Sequence, residues 1–281
     1  MENVKSIRIL NHIKKPKMKN IKKRGRGRPR KVNVQKTNPN VRVRLKKMND
    51  LSFDDALFVP MKTNTIVDGL LSSERGLMPG TSYIFAGSPG VGKSTLLMDW
   101  LSEFQKQGKE TLFISGEMGK IDLYKYVERF PKFGSLPTLF LEEYLTTPKE
   151  AIENTLKKGF DVVLVDSWAE VTDLVSDQMG WTRKRVESWL LELLGKHNNG
   201  KNKAKKYTAF MLIQQMTKQD ELAGSNKVKH MSTGYCYIKY EGSEREARYI
   251  EFKKNRRGGE DKVYFDLGRG GKVDYNYPEA D

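Results

Sequence analysis

The chain has 281 residues and a formal net charge of +16, from 51 Lys and Arg against 35 Asp and Glu. Its single cysteine, Cys236, excludes an intramolecular disulfide and argues against a cysteine-based zinc site, so a reducing compartment and no zinc are expected. No apolar run approaches the roughly 18 residues of a membrane span, and no signal-peptide core opens the chain, which predicts a cytoplasmic protein with no membrane partner.

In chain order, residues 1–50 come first. They hold 18 of the 51 basic residues and two of the 35 acids, Glu2 and Asp50, so this arm carries the whole +16 and residues 51–281 are neutral as a set. A segment so poor in apolar residues and so dense in one charge cannot offset the entropy of ordering, and it reads as a disordered arm. Such asymmetry points to a polyanion, nucleic acid first, against the plainer reading of a solvated tail. Residues 51–281 read as one folded domain.

Periodicity begins after Asp50. TSYIFAG (81–87) is a short apolar run ending in glycine, a buried strand. STLLMDWLSEFQKQG follows with helical spacing at Leu97, Leu101 and Phe104, closed by Gly108. ETLFISGE (110–117) and LPTLFLEE (136–143) read as strands. TPKEAIENTLKKG predicts a helix with Thr147 as N-cap, Pro148 at its first position, Glu150 completing a capping box and Gly159 after the last turn. DVVLVDSW (161–168) is a strand ending in an acid, WTRKRVESWLLELLGKHN an amphipathic helix, and YTAFMLIQQ (207–215) another buried strand. The insert 196–206 reads as a basic, flexible surface loop, and His197 as a helix-terminal residue favoured by partial positive charge. GYCYIKYEG, EARYIEFKKN and DKVYFDLG are strand-like with short turns, and Cys236 alternates with aromatics as core packing. Strands alternating with helices predict an α/β fold with a mainly parallel sheet, helices on both faces and a C-terminal antiparallel extension.

The chemistry lies in GSPGVGKST, residues 87–95, which fits G-x-x-x-x-G-K-[ST] between a predicted strand and a predicted helix. Gly87, Gly90 and Gly92 let backbone N–H groups turn inward around phosphate oxygens, with Ser88, Pro89 and Val91 completing the loop and the helix N-terminus adding positive potential. Lys93 reaches β- and γ-phosphates, Ser94 holds Mg2+, and Thr95 contacts phosphate from the next position. Asp166 ends an apolar strand, as an acid holding Mg2+ indirectly should; the plainer reading is a strand-end or N-cap aspartate. Glu117 can polarise an attacking water, and as a lone loop acid it has an even alternative. Gln214 and Gln215 end the strand FMLIQQ, where a neutral hydrogen-bonding group can sense the γ-phosphate. The expected cofactors are ATP and Mg2+.

The series GSPGVGKST, FISGEM, VVLVDSW, LIQQMTKQDELAGSNKVKHMSTGYCYIKYEG and FKKNRRGG resembles the ATPase core of the RadA branch-migration proteins, in the RecA/DnaB group of hexameric ATPases. The match covers about residues 60–266. It implies a RecA-like fold, Glu117 as catalytic base and Gln215 at the sensor position, where RadA proteins tend to carry His and DnaB helicases Gln. It also implies Lys254 and Arg256 as charges completing a neighbour's ATP site, hence a homo-oligomer, a hexamer by resemblance. KNRRG (254–258) departs from the family's K-N-R-F-G at Arg257, which puts the motif's DNA coupling in question. RadA proteins carry a four-cysteine zinc module and a protease-like domain; Cys236 alone cannot make the first and the chain ends before the second. A reduced relative, of a kind a phage would encode, is the expectation, with the basic arm in place of the zinc module.

By the same resemblance, the loops at about 169–182 and 216–232 face a central channel, the second presenting Lys218, Lys227 and Lys229 to DNA phosphates. The centre of KKRGRGRPRK (22–31), Arg26-Gly27-Arg28-Pro29-Arg30, resembles an AT-hook, a thin extended segment drawn into a narrow AT-rich minor groove. The leading expectation is a DNA-dependent ATPase of recombination or repair, translocating on DNA or promoting branch migration. A DnaB-like replicative helicase and an ATP-binding switch without motor activity are the alternatives.

Overall fold

The computed structural model describes residues 44–216, 226–242, 247–259, 262–268 and 272–276. The AT-hook-like residues Arg26 to Arg30 and Lys218 lie outside the described residues, as does the expected disorder of the arm up to residue 43. Residues 44–51 hold one 3-10 turn, Met48–Asp50. The fold below is that of the unit Ser52–Asp281.

Apolar runs become strands here because parallel strands covered on both faces leave no polar side. The first half of the chain gives α1 (Val67–Leu71), β1 (Ser82–Gly87), α2 (Lys93–Lys106), β2 (Thr111–Ser115), α3 (Lys120–Arg129), β3 (Thr138–Phe140) and α4 (Pro148–Leu156). The second gives β4 (Val162–Asp166), α5 (Trp168–Met179), α6 (Arg183–Asn198), β5 (Ala209–Gln215), α7 (Asn226–Met231), β6 (Gly234–Glu241), β7 (Ala247–Asn255), β8 (Lys262–Leu267) and β9 (Val273–Asn276). One nine-stranded sheet runs β3-β2-β4-β5-β1-β6-β7-β8-β9. It is parallel from β3 to β6 and antiparallel from β6 to β9, the predicted architecture. Every residue of β2 and β4 is buried. Alternation along β1 sends Tyr83 and Phe85 to the face covered by α2, and Ile84 to the face covered by α5 and α6. Phe85 meets Trp100 of α2 edge-on at 5.4 Å between ring centres. No helix among the described residues is long and apolar enough to cross a membrane.

Local expectations fail where a tertiary partner intervenes. The strand predicted over 136–143 shrinks to the three residues of β3, and Leu141–Tyr144 coils into a 3-10 turn. Its acids serve α3 instead: Glu142 accepts from the Lys120 amide at 3.0 Å, and Glu143 pairs with the Lys120 ammonium. Pro148 opens α4 as predicted, but Thr147 makes no capping bond, because its ψ of 41° departs from the extended backbone an N-cap uses. The insert 196–206 is tied down rather than loose. Lys206 bonds Asp161 at 2.7 Å and Glu110 at 3.3 Å, and the Lys203 amide donates to the Lys157 carbonyl at 3.0 Å. His197 is buried, and burial with Lys196 beside it lowers its pKa, so the neutral ring is favoured over the partial charge expected of it.

Behind α2, Asp99 and Trp100 fasten two outlying segments. Lys132 pairs with the buried Asp99, whose carboxyl burial pushes above its ordinary value. Tyr275 of β9 accepts from Trp100 Nε1 at 2.8 Å and donates to Asp99 Oδ2 at 3.3 Å. Lys132→Met removes the cation from a buried carboxylate and is expected to cost about 2 kcal/mol, read as a lower urea midpoint at unchanged slope.

Candidate nucleotide site

Gly87 ends β1 against β6. A Cβ there would lie 2.3 Å from the Ile238 carbonyl, so the loop can leave the sheet at this point only from glycine. Gly90 and Gly92 then take left-handed backbone, φ +78° and +99°, turning the chain into α2 at Lys93. Val91 is fully buried beneath the turn while Ser88, Pro89 and Gly90 are exposed on its rim. The unpaired amides of α2's first turn therefore face a concave loop, the geometry of an anion site. Lys93 folds back over it, its Nζ donating to Gly87 O at 2.9 Å and Ser88 O at 3.0 Å. Burial lowers the Lys93 pKa, against Asp166 and Glu117, which favour the charged form.

Strand register brings the other residues to the same edge. Gln215 pairs with Gly87, and Asp166 with Ser115, so β1, β2, β4 and β5 end near one another. Ser94 Oγ donates to Asp166 Oδ2 at 2.5 Å. Asp166 is 1% exposed, and its Oδ1 finds no hydrogen-bond partner among the described residues. Burial pushes its pKa up to about 6; the Ser94 bond opposes this, Glu117 adds to it and Lys93 opposes it. A buried carboxylate oxygen without a partner, beside a hydroxyl, is a hard-oxygen pair suited to a small divalent cation, so Ser94 and Asp166 fit Mg2+. Glu117 stands two residues beyond β2 and is exposed at the site. The amides of Gly116 and Glu117 fix it by donating to the Asp166 carbonyl at 2.7 and 3.2 Å.

Lys93, Ser94, Asp166 and Glu117 line one cavity of about 350 Å³ together with Thr95 and Gln215. The cavity also takes Met118, Tyr126 and Arg129 from α3's side, and Arg248 and Leu267 from β7 and β8, none foreseen. A signal for Arg248 existed: it shares strand parity with the fully buried Ile250, so period-2 alternation turns an arginine toward the covered face.

No family model matches the chain. A DNA repair protein RadA of Campylobacter jejuni is 31% identical over 188 residues, 67% of this chain and 40% of the relative. RadA proteins of Brucella abortus and Streptococcus pyogenes are 25% and 26% identical, covering 76% and 84% of this chain. The chain spans less than half the length of each, 46% of the Brucella and 49% of the Streptococcus protein. A KaiC-like protein of Pyrococcus horikoshii superposes with a TM-score of 0.54 at 17% identity, over 73% of this chain and 93% of that one. The flagellar accessory protein FlaH of Methanocaldococcus jannaschii gives 0.53 at 12%, over 73% and 92%. Identities this low speak to the fold alone. The core of this chain is RadA-like and has the RecA-type fold.

In this RadA-like core, Lys254 and Arg256 do not join the cavity. Asn255 pairs with Gly234 at the start of β6, the opposite end of the sheet from the loop after β1. Asn255 itself is an anchor, donating to Leu70 O at 3.3 Å and Leu71 O at 3.0 Å. Its two neighbours close the C-terminal end of α7. Lys254 donates to Lys229 O and Ser232 O, both at 2.8 Å, and Arg256 to His230 O at 3.1 Å. On α7, Lys227 donates to Ser188 Oγ at 3.0 Å and Lys229 lies over the Tyr235 ring at 5.4 Å. The expected channel loop at 169–182 is instead mostly α5, capped by Ser167, which accepts from the Glu170 amide at 3.4 Å.

Loop geometry yields a test. A Cβ at Gly90 meets nothing within 4 Å, whereas one at Gly92 lies 2.5 Å from Leu267 Cδ1. Gly90→Ala should lose only the about 1–2 kcal/mol of left-handed strain. Gly92→Ala should weaken ATP binding further, and Leu267→Ala should restore part of that loss while doing nothing for Gly90→Ala, measured by equilibrium titration.

Proposed function

We propose that this chain is a DNA-dependent ATP hydrolase of recombination or repair, working as a hexameric ring that translocates on DNA or drives branch migration. The observation that carries the reading is the convergence of Lys93, the Ser94–Asp166 pair and Glu117 on one cavity of a RadA-like core. The name DNA repair protein borne by its relatives supports the cellular role.

In the proposed reaction the loop amides and Lys93 take the β- and γ-phosphates, the lysine exchanging two carbonyls for phosphate oxygens. Ser94, and Asp166 indirectly, would hold Mg2+, which would supply neutralising charge at the phosphates. Glu117 accepts a proton from the water that attacks the γ-phosphorus, and ADP is the leaving group. Gln215, ending the strand beside β1, responds to the γ-phosphate and passes that state into the segment bearing Lys218, Lys227 and Lys229, which holds DNA phosphates. Lys254 and Arg256 act across a head-to-tail interface on a neighbour's nucleotide; their distance from this chain's own loop supports that division. The arm, through Arg26, Gly27, Arg28, Pro29 and Arg30, holds AT-rich duplex near the ring.

The deciding measurement is ATPase rate with single-stranded, double-stranded and AT-rich double-stranded DNA. Stimulation by at least one is expected; equal rates with and without all three would leave an ATP-binding switch. Glu117→Gln should lower kcat by about a hundredfold or more while ATP affinity stays within about twofold. In mixtures with wild type, Arg256→Ala should depress activity more steeply than dilution. Replacing Arg26, Arg28 and Arg30 by Ala should flatten the salt dependence of duplex binding by roughly two to three in the log–log slope.

A further inference from the structure

The corner made by β6, β7 and β8 rests on the turn of the phosphate loop. Tyr240 of β6 donates its hydroxyl to Gly90 O at 3.2 Å, and the Leu267 side chain of β8 presses on Gly92. Arg248 sits between them. It pairs with Tyr240 on one side and Phe265 on the other, and its side chain lines the cavity. Its guanidinium lies over the Tyr240 ring at 5.1 Å. Its Nη1 donates to Asp266 Oδ1 at 3.1 Å, but the Asp266 side chain is 73% exposed, and an ion pair so wet contributes little. Its Nε is buried and finds no hydrogen-bond acceptor among the described residues. A buried donor without an acceptor is costly to keep, and in a polar cavity it marks a position where an acceptor belongs.

We infer that Arg248 is a nucleotide-binding residue and that its ligand is the polyphosphate of a nucleoside triphosphate, not the base. This rests on reading the cavity as the ATP site. Two features favour phosphate. Tyr240 already covers a face of the guanidinium, leaving the donors of its edge, and those edge donors match the oxygens of a phosphate in a planar, two-pronged contact. Tyr240 and Leu267 also fix the corner against Gly90 and Gly92, the stretch of loop that wraps phosphate. Binding then exchanges or shares the exposed Asp266 for a phosphate oxygen, and Arg248 supplies from the C-terminal sheet a second cation opposite Lys93.

The test uses the full chain as wild type, Arg248→Ala, Arg248→Lys and Asp266→Asn. It measures equilibrium binding of Mg–ATP and of Mg–tripolyphosphate, with thermal midpoints alongside. Wild-type binding of ATP checks the cavity itself: without it the proposed function fails independently of Arg248. Given that binding, Arg248→Ala should weaken both ligands by a similar factor of about ten. Asp266→Asn should bind both at least as well as wild type, although it breaks the same ion pair. Arg248→Lys should fall between, keeping the charge but losing the edge geometry. If Arg248→Ala does not fold, a several-fold loss in Arg248→Lys with none in Asp266→Asn sustains the inference. It is overturned if the arginine variants bind both ligands as wild type does, if they lose ATP but not tripolyphosphate, or if Asp266→Asn loses binding equally with them.

Discussion

The buried carboxylate at the tip of β4 is the constraint around which the site is arranged. Asp166 is almost fully enclosed, holds one oxygen on Ser94 and offers the other to nothing in the described protein. Its backbone carbonyl meanwhile receives the amides of Gly116 and Glu117. One residue therefore joins three elements: the first turn of α2 through Ser94, the exit of β2 through Glu117, and β4 itself. An apolar strand with an acid at its end is stable only if that end finds donors or a cation. The loop glycines supply the other half of the arrangement, since only a turn through left-handed backbone brings Ser94 back to β4.

What was legible in the sequence were the features set by local requirements. Positive φ at Gly90 and Gly92, and the close approach at Gly87, demand glycine in a fixed spacing, so the loop could be read directly. Strands β2, β4 and β5 were legible because a strand covered on both faces has no alternative to an apolar run, and Asp166 and Gln215 stood out as polar residues ending such runs. Elements decided by distant partners were not legible. Glu142 and Glu143 look like strand residues until Lys120, more than twenty positions earlier, claims them. Thr147 has the composition of a cap without its backbone angle. The helix α5 carries its own signal in Ser167, three residues before Glu170.

The Lys-Asn-Arg triplet shows how one motif can serve packing and charge together. Between Tyr235 and Cys236 the β6–β7 register slips, so that Tyr235 faces Lys254 and Cys236 faces Phe252, with Lys253 the extra residue. Such a bulge turns the end of a strand and re-aims its side chains. Asn255 then points inward to α1, while Lys254 and Arg256 on either side of it reach the carbonyls ending α7. The cations are held by helix-end dipoles rather than by carboxylates, a weaker and more readily exchanged partnership. Burial and the neighbouring Arg256 lower the Lys254 pKa, against the carbonyls, which favour the charged form.

Among the described residues the nine-stranded sheet offers very little usable edge. Its borders are β3, three residues long, and β9, four residues long, with Asp274 exposed on the latter. Backbone too short to template another strand discourages copies from stacking edge to edge. Blunt borders leave self-association to side-chain surfaces, which can be matched in one geometry and refused in all others.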